Sequence, residues 1–222
     1  MTRHHHSPLV RGQSTKEARS NVAELDQLPS PDGRVARGQR TRRNVVDALI
    51  SLLRDGDPEP TAKAIAGRAG ISLRLVFHHF SDIDDLYRAA IDHQLECHWS
   101  ALAPVSPSVP LDDRIRHTLR VRSVLYEKIS PVRRAVVRRS ATSPELGQSI
   151  TRANSLLLEN LAATFSDVLA RRPGGSDEFL IALDTLLSWE TWDRLRQSSD
   201  LSIMTVKRIV ARTVEALFSW EG

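Results

Sequence analysis

From Arg40 almost to its last residue, the chain places apolar residues at three- and four-residue steps. No run of useful length alternates as a half-buried strand would. This pattern restricts the chain to an all-α fold of about nine helices. Thr41 can cap a first helix with apolar positions Val45, Ala48, Leu49, Leu52 and Leu53; Gly56, Pro58 and Pro60 stop it. Thr61 caps the next, short helix. After Phe80, Ser81 or Asp82 can cap a longer helix, with acids in its first turn. That helix carries Tyr87, Ile91, Leu95, Trp99 and Leu102 on one face. Five more are expected over 112–128, 131–140, 145–170, 177–197 and 202–220. No internal repeat is visible.

Composition matters here mainly for what it excludes. The 222 residues, 41% hydrophobic and 26% charged, suffice for a buried core. A net charge of +4 suits a nucleic-acid partner, but many enzymes are as basic. The single Cys97 rules out an internal disulfide framework and fits a reducing compartment. No apolar run is long enough for a membrane span and no signal-peptide succession occurs, so a cytoplasmic location is expected. Residues 1–36, rich in Pro, Ser, Gly, Gln and Arg, read as a largely disordered arm in which 18–28 form at most a stray turn. The His4-His5-His6 run is too short and isolated to define a metal site. His93 and Cys97 share a helix face, but two ligands are too few for closed zinc, and neighbouring acids disfavour a reactive thiolate. Packing or pocket lining is the expected role of that pair. No metal and no cofactor are expected.

The stretch IAGRAGISLRLVFHHF, residues 65–80, is a broken helix. Ile65, Ala66 and Ala69 face inward on its first piece. Gly70 can take the left-handed conformation that ends a helix without steric cost. Ile71 plugs the corner and Ser72 caps the second piece, on which Val76, Phe77 and Phe80 are expected to be buried. Two short helices at a steep angle, the second free to enter a major groove, are the logic of a helix-turn-helix. The cap also leaves backbone N–H groups at a helix start, suited to a phosphate.

TRRNVVDALISLL followed by TAKAIAGRAGISLRLVFHHFSDIDDLYRAAI resembles the N-terminal domain of the TetR family of bacterial transcription regulators. The likeness rests on the Thr61 cap, Ile65-Ala66, Ala69-Gly70-Ile71-Ser72, Phe77-His78-His79-Phe80 and Asp85-Leu86. It is close over 41–91 and extends further only by helix count and length. It implies a DNA-binding dimer with a variable helical C-terminal domain that binds a small ligand and releases DNA. It also implies a division into arm (1–36), helix-turn-helix domain (37–84) and ligand-binding and dimerisation domain (85–222). Three positions depart from the family pattern. Arg74 and Leu75 stand where Gly then Thr are frequent, and Ile83 where a phosphate-contacting Lys is usual. Ser72, Leu73, Arg74 and His78 are therefore the groove-facing candidates. Arg42, Thr61, Lys63 and His79 are candidates for the DNA backbone, because short caps and cations near helix ends suit phosphate. Arg74 can instead pair with a phosphate or fold back onto Asp82.

In the C-terminal half, helices 177–197 and 202–220 are apolar on more than one side, which predicts a homodimer joined through them. Val210 and Leu217 are the expected interface positions. Trp99, Leu102, Leu125, Tyr126, Leu157 and Trp189 can line an apolar cavity, with His93, His117 and Arg122 as its polar groups. Such a cavity suits a largely hydrophobic, aromatic or anionic small molecule. The helix from Asp84 to Leu102 would couple the two halves and set the separation of the recognition helices. The resulting reading is a repressor on a palindromic operator. The alternative is a ligand-independent DNA-binding or architectural protein, marked by a solidly packed C-terminal core. An enzyme is disfavoured, since no G-x-S-x-G elbow, Gly-rich phosphate loop or H-E-x-x-H pair occurs.

Overall fold

The computed structural model describes residues 31–172 and 175–219, and every regular element among them is helical. The chain divides into two units, Met1–Arg43 and Asn44–Gly222. The described part of the first unit, from residue 31, belongs to helix α1 (Pro31–Arg54). Residues 1–30, where most of the expected arm and the three N-terminal histidines fall, lie outside the described residues. Residues 31–36 correct the arm's boundary, because they are already helical. Thr41 is consequently not a cap. It lies inside α1, and its Oγ1 donates to the Arg37 carbonyl at 3.0 Å. Val35, Ala36, Arg37, Gln39 and Arg40 are all exposed, so this extension has no apolar stripe from which periodicity could be read.

The second unit holds the remaining helices. Helices α2 (Ala62–Ala69), α3 (Leu73–His79) and α4 (Ile83–His98) follow α1, and a 3₁₀ turn, Trp99–Leu102, closes α4. Then come α5 (Leu111–Ser140), α6 (Pro144–Thr164), α7 (Ser166–Ala170), α8 (Ser176–Leu186), α9 (Trp189–Asp193) and α10 (Ile203–Ser219). The two helices expected over 112–140 are one. Pro131 sits inside α5, where a missing N–H and ring crowding typically cost about 3 kcal/mol. Burial on both sides of it offsets that cost: Leu125 and Tyr126 before, Val132, Ala135 and Val136 after. Conversely, the helix expected over 145–170 breaks at Phe165, which leaves helical backbone at φ −114°, ψ 22° and buries its ring against Phe218. The helix expected over 177–197 breaks before Ser188, whose hydroxyl caps α9 by accepting from the Thr191 N–H.

Two apolar cores result. One gathers α1 (Val45, Leu49, Leu53), α2 (Ile65), α3 (Val76), Phe80 and α4 (Leu86, Ala90) around the C-terminal end of α5 and Leu146 of α6. The other gathers the N-terminal two-thirds of α5 with α6 to α10, including Leu161, Phe179, Leu183, Trp192 and Val206. Helices α5 and α6 contribute to both, with Leu146 of α6 in the first and its Leu157 and Leu161 in the second. Three arginines along it are buried, Arg114, Arg122 and Arg133. Arg114 makes a bidentate pair with Asp167, at 2.6 and 3.1 Å, and Arg133 reaches Glu190 at 3.0 Å. The Arg114 guanidinium holds the Asp167 carboxyl below the usual carboxylate range.

Candidate nucleic-acid interface and ligand cavity

The helix-turn-helix is built as the sequence anticipates. Thr61 caps α2, its hydroxyl accepting from the Ala64 N–H at 3.1 Å. Gly70 ends the helix at φ 68°, ψ 31°, and the Ile71 N–H returns to the Ala66 carbonyl at 3.0 Å. Ser72 caps α3, accepting from the Leu75 N–H at 3.2 Å, and Asp82 caps α4, accepting from the Asp85 N–H at 2.7 Å.

Seven residues leave α3 with two faces. Val76 and the following Phe80 are buried; Leu73, Arg74, Phe77 and His78 are exposed. This corrects the expectation for Phe77, which is 48% exposed. Phe77 follows Leu73 and Arg74 at four- and three-residue spacing, about a quarter-turn from Val76, and Phe80 reaches the core because its backbone has already left the helix, at φ −134°, ψ 131°. Arg74 makes no hydrogen bond or ion pair with another described residue, and Asp82 is occupied as a cap. Ser72, Lys63 and Thr61 are exposed alongside, while His79 is half-buried with its ring 5.3 Å from that of His78. Arg42 is half-buried in the first unit, and the nearby Arg40 and Arg43 are exposed.

The expected ligand residues do not share one cavity. An apolar cavity of about 370 Å³ lies between α5, the α8–α9 corner and α10. It takes only Arg122 and Tyr126 from the expected set. Leu125, Leu157 and Trp189 instead line a separate void of about 30 Å³, which Tyr126 also borders. His117 and Leu102 meet beside a crevice of about 10 Å³. Trp99 is 51% exposed, because the 3₁₀ turn rotates it off the α4 stripe, and it edges a separate groove with Asp92, Glu96 and Arg152. His93 lines none of these; its Nε2 lies 3.4 Å from Asp47 and 3.6 Å from the Cys97 sulfur. No group of three or more potential metal ligands occurs among the described residues.

Inside the 370 Å³ cavity, Leu119, Leu186, Leu187, Trp192 and Val210 supply apolar wall. Tyr126 lines it too, donating to the Leu187 carbonyl and accepting from Arg122 at 3.0 Å. Full burial pushes the Tyr126 hydroxyl's pKa upward, so it stays protonated. Burial likewise raises that of Asp184, against the pull of Arg122. Val210, expected at a dimer interface, faces this cavity and is 7% exposed. The outward apolar residues of α8 and α10 are Ile181, 62% exposed, and Ile209, 38% exposed.

The sequence matches no family model and no curated protein. Solved structures match over most of the chain. A protein of Mesorhizobium loti assigned to the TetR-family transcriptional regulators is 20% identical, covering 82% of this chain and 97% of its own, with a TM-score of 0.62. One of Rhodococcus sp. with the same assignment is 14% identical, covering 81% and 99%, with a TM-score of 0.65. A TetR-family regulator of Streptomyces coelicolor is 20% identical, covering 81% and 80%, with a TM-score of 0.58. The fold is that of the TetR-family transcriptional regulators.

Within this TetR fold the sequence reading missed Ser123, Leu186, Ser188, Trp192, Lys207 and Ala211 as cavity lining. One signal was available for part of it. Arg116, Leu119, Ser123 and Tyr126 follow one another at three- and four-residue steps on a single stripe of α5, with Arg120 four residues after Arg116. For Lys207 and the Leu187–Ser188 corner there was none, since tertiary packing alone brings them to that stripe. No helix among the described residues is long and apolar enough to cross a membrane.

Proposed function

We propose that the protein is a TetR-type transcriptional repressor. It binds a palindromic operator as a homodimer, reads it with α3, and is released by a small, largely hydrophobic ligand in the 370 Å³ cavity. The observation that carries this reading is the outward face of α3. A two-turn helix anchored by Val76 and Phe80 presents Leu73, Arg74, Phe77 and His78 to solvent, with the Arg74 charge uncompensated. Such a face has little use inside a protomer and suits a major groove, where arginine meets guanine and apolar side chains meet thymine methyls. Thr61, Lys63, Ser72 and His79 are proposed as flanking contacts, and Arg42 as a separate backbone contact on α1.

Helix α5 supports ligand control. Its Arg122 and Tyr126 line the cavity, and Arg139, 17 residues on and so about 26 Å along the helix, bonds Asp84 at 2.8 Å and Glu59 at 3.1 Å. A ligand that shifts α5 would therefore move the start of α4 and the loop before α2, along with the α4 path anticipated from the sequence. The cavity itself favours this over a ligand-independent architectural protein, whose C-terminal core should be solid. Exposed Ile181 and Ile209 supply an apolar face for dimerisation. Selection of bound sequences from random DNA by the full-length protein tests the proposal. Enrichment of an inverted repeat with half-sites about one helical turn apart is expected; no enrichment over input would refute it.

A further inference from the structure

Three arginines of α5 are buried, and they are not equivalent. Arg114 has Asp167 and Arg133 has Glu190, but no ion pair holds Arg122 among the described residues. Its guanidinium is satisfied only by neutral acceptors, the Tyr126 hydroxyl at 3.0 Å and the Leu157 carbonyl at 2.6 Å. In all three arginines the Nε is buried without an acceptor; Arg122 alone also lacks a carboxylate. Asp184 acts on Arg122 only at a distance; a buried charge with no carboxylate in contact is costly, and Arg122 is the one of the three that lines the cavity. The rest of that wall has the same sign. Arg116, Arg120 and Lys207 line it and no acidic residue does. Arg116 is engaged by Asp113 and Arg120 by His117, while Lys207 has no partner among the described residues.

We infer that the cavity's ligand is an organic monoanion: an apolar body carrying one carboxylate, which supplies the counter-charge that Arg122 and Lys207 lack. The apolar part rests on Trp192, and the carboxylate competes with the Leu157 carbonyl and the Tyr126 hydroxyl for Arg122. An arginine–carboxylate bond, charged on both sides and open to bidentate geometry, is stronger than either bond to a neutral acceptor that it replaces. Asp184, whose charge Arg122 feels, opposes the ligand's charge from outside the lining. This inference rests on the cavity being the effector site proposed above.

Calorimetric titration of the full-length protein with 2-naphthoate and with its neutral isostere 2-naphthamide tests it. Naphthoate should bind about tenfold or more tighter than the amide, the scale of one charge-assisted interaction. Lys207→Met should erode that preference, read as the ratio of the acid and amide affinities. Asp184→Asn, which removes the opposing charge and leaves the lining intact, should tighten naphthoate several-fold and leave the amide unchanged. Val210→Trp, which fills the cavity, should abolish both. Equal affinity for acid and amide would overturn the anion inference while leaving a hydrophobic effector site. Binding of neither compound, or naphthoate binding insensitive to Val210→Trp, would overturn it too. Operator retention measured in parallel shows separately whether the DNA-binding reading stands.

Discussion

On the proposed DNA-binding reading, Arg74→Ala separates two modes of contact that look alike in the free protein. Arg74 is exposed and unpartnered in a helix held by Val76, Phe80 and the Ser72 cap. Its removal therefore costs the fold almost nothing, and alanine is the slightly better helix former, by a few tenths of a kcal/mol. Any change in binding can then be assigned to the DNA contact. A bidentate arginine–guanine pair contributes roughly 1–3 kcal/mol of discrimination. In a twofold complex the residue acts twice, giving about 2–6 kcal/mol, or about 30-fold to 10⁴-fold in affinity. The expected result is a loss of that size on the selected operator and little loss on an operator altered at that one position in each half. Fluorescence anisotropy over a salt series measures both affinity and slope, and the slope should stay nearly unchanged. A phosphate contact behaves differently: affinity falls alike on every sequence, and the slope drops by about two, one per protomer. That outcome would refute base reading by Arg74 and leave Ser72, Leu73, Phe77 and His78 to specify the site.

Gly70→Ala should lower stability by about 1–2 kcal/mol in chemical denaturation, because φ 68° is a left-handed conformation that disfavours a Cβ. A Cβ there would meet nothing within 4 Å, so unchanged stability would show that the turn does not hold this conformation. Ile181→Asp with Ile209→Asp should give a folded monomer by sedimentation that no longer binds a palindrome. Val210→Asp should instead unfold the protein, since Val210 is 7% exposed inside its own protomer. Asp167→Asn should cost about 1.5–3 kcal/mol at pH 7 through loss of the charge-assisted bonds to buried Arg114. Because folding depresses the Asp167 pKa below 3.8, the native contribution is complete above that pH and vanishes as pH falls through the folded value. Wild type and variant should therefore converge in acid, and a gap that persists below the folded pKa would exclude the ion pair as its origin.

The recognition half was legible because its signals are local. Thr61, Ser72 and Asp82 each cap through a backbone N–H three residues on, and Gly70 is demanded by its own backbone angle; a partner helix enters none of these. Phe77 was misplaced for a related reason. Alone, a seven-residue helix with Leu73, Val76, Phe77 and Phe80 reads as mostly core. Its inward face is fixed only once Val76 joins the core that holds Ile65 and Leu49. The ligand residues were the least legible. Nine candidates divided among a cavity, two voids, a groove and a paired histidine, since an apolar or cationic residue reads the same whether it fills a core or lines a hollow.

By itself, then, the sequence determined the helical class, the broken helix at Gly70, its caps and the exposed arginine in α3. Each follows from interactions that close within about four residues. Tertiary structure decided that α5 runs unbroken through Pro131, that Phe165 and Ser188 interrupt the expected helices, and that Val210 points inward while Ile209 points out. It also decided where buried charge is matched. Asp167 and Glu190 lie 53 and 57 residues from the arginines they pair with, and Arg122 and Lys207 share a cavity wall across 85 residues of chain. Local free energies select among φ/ψ wells, whereas the side of a two-faced helix that is buried, and the charge left uncompensated there, depend on surfaces that meet only after the chain has folded.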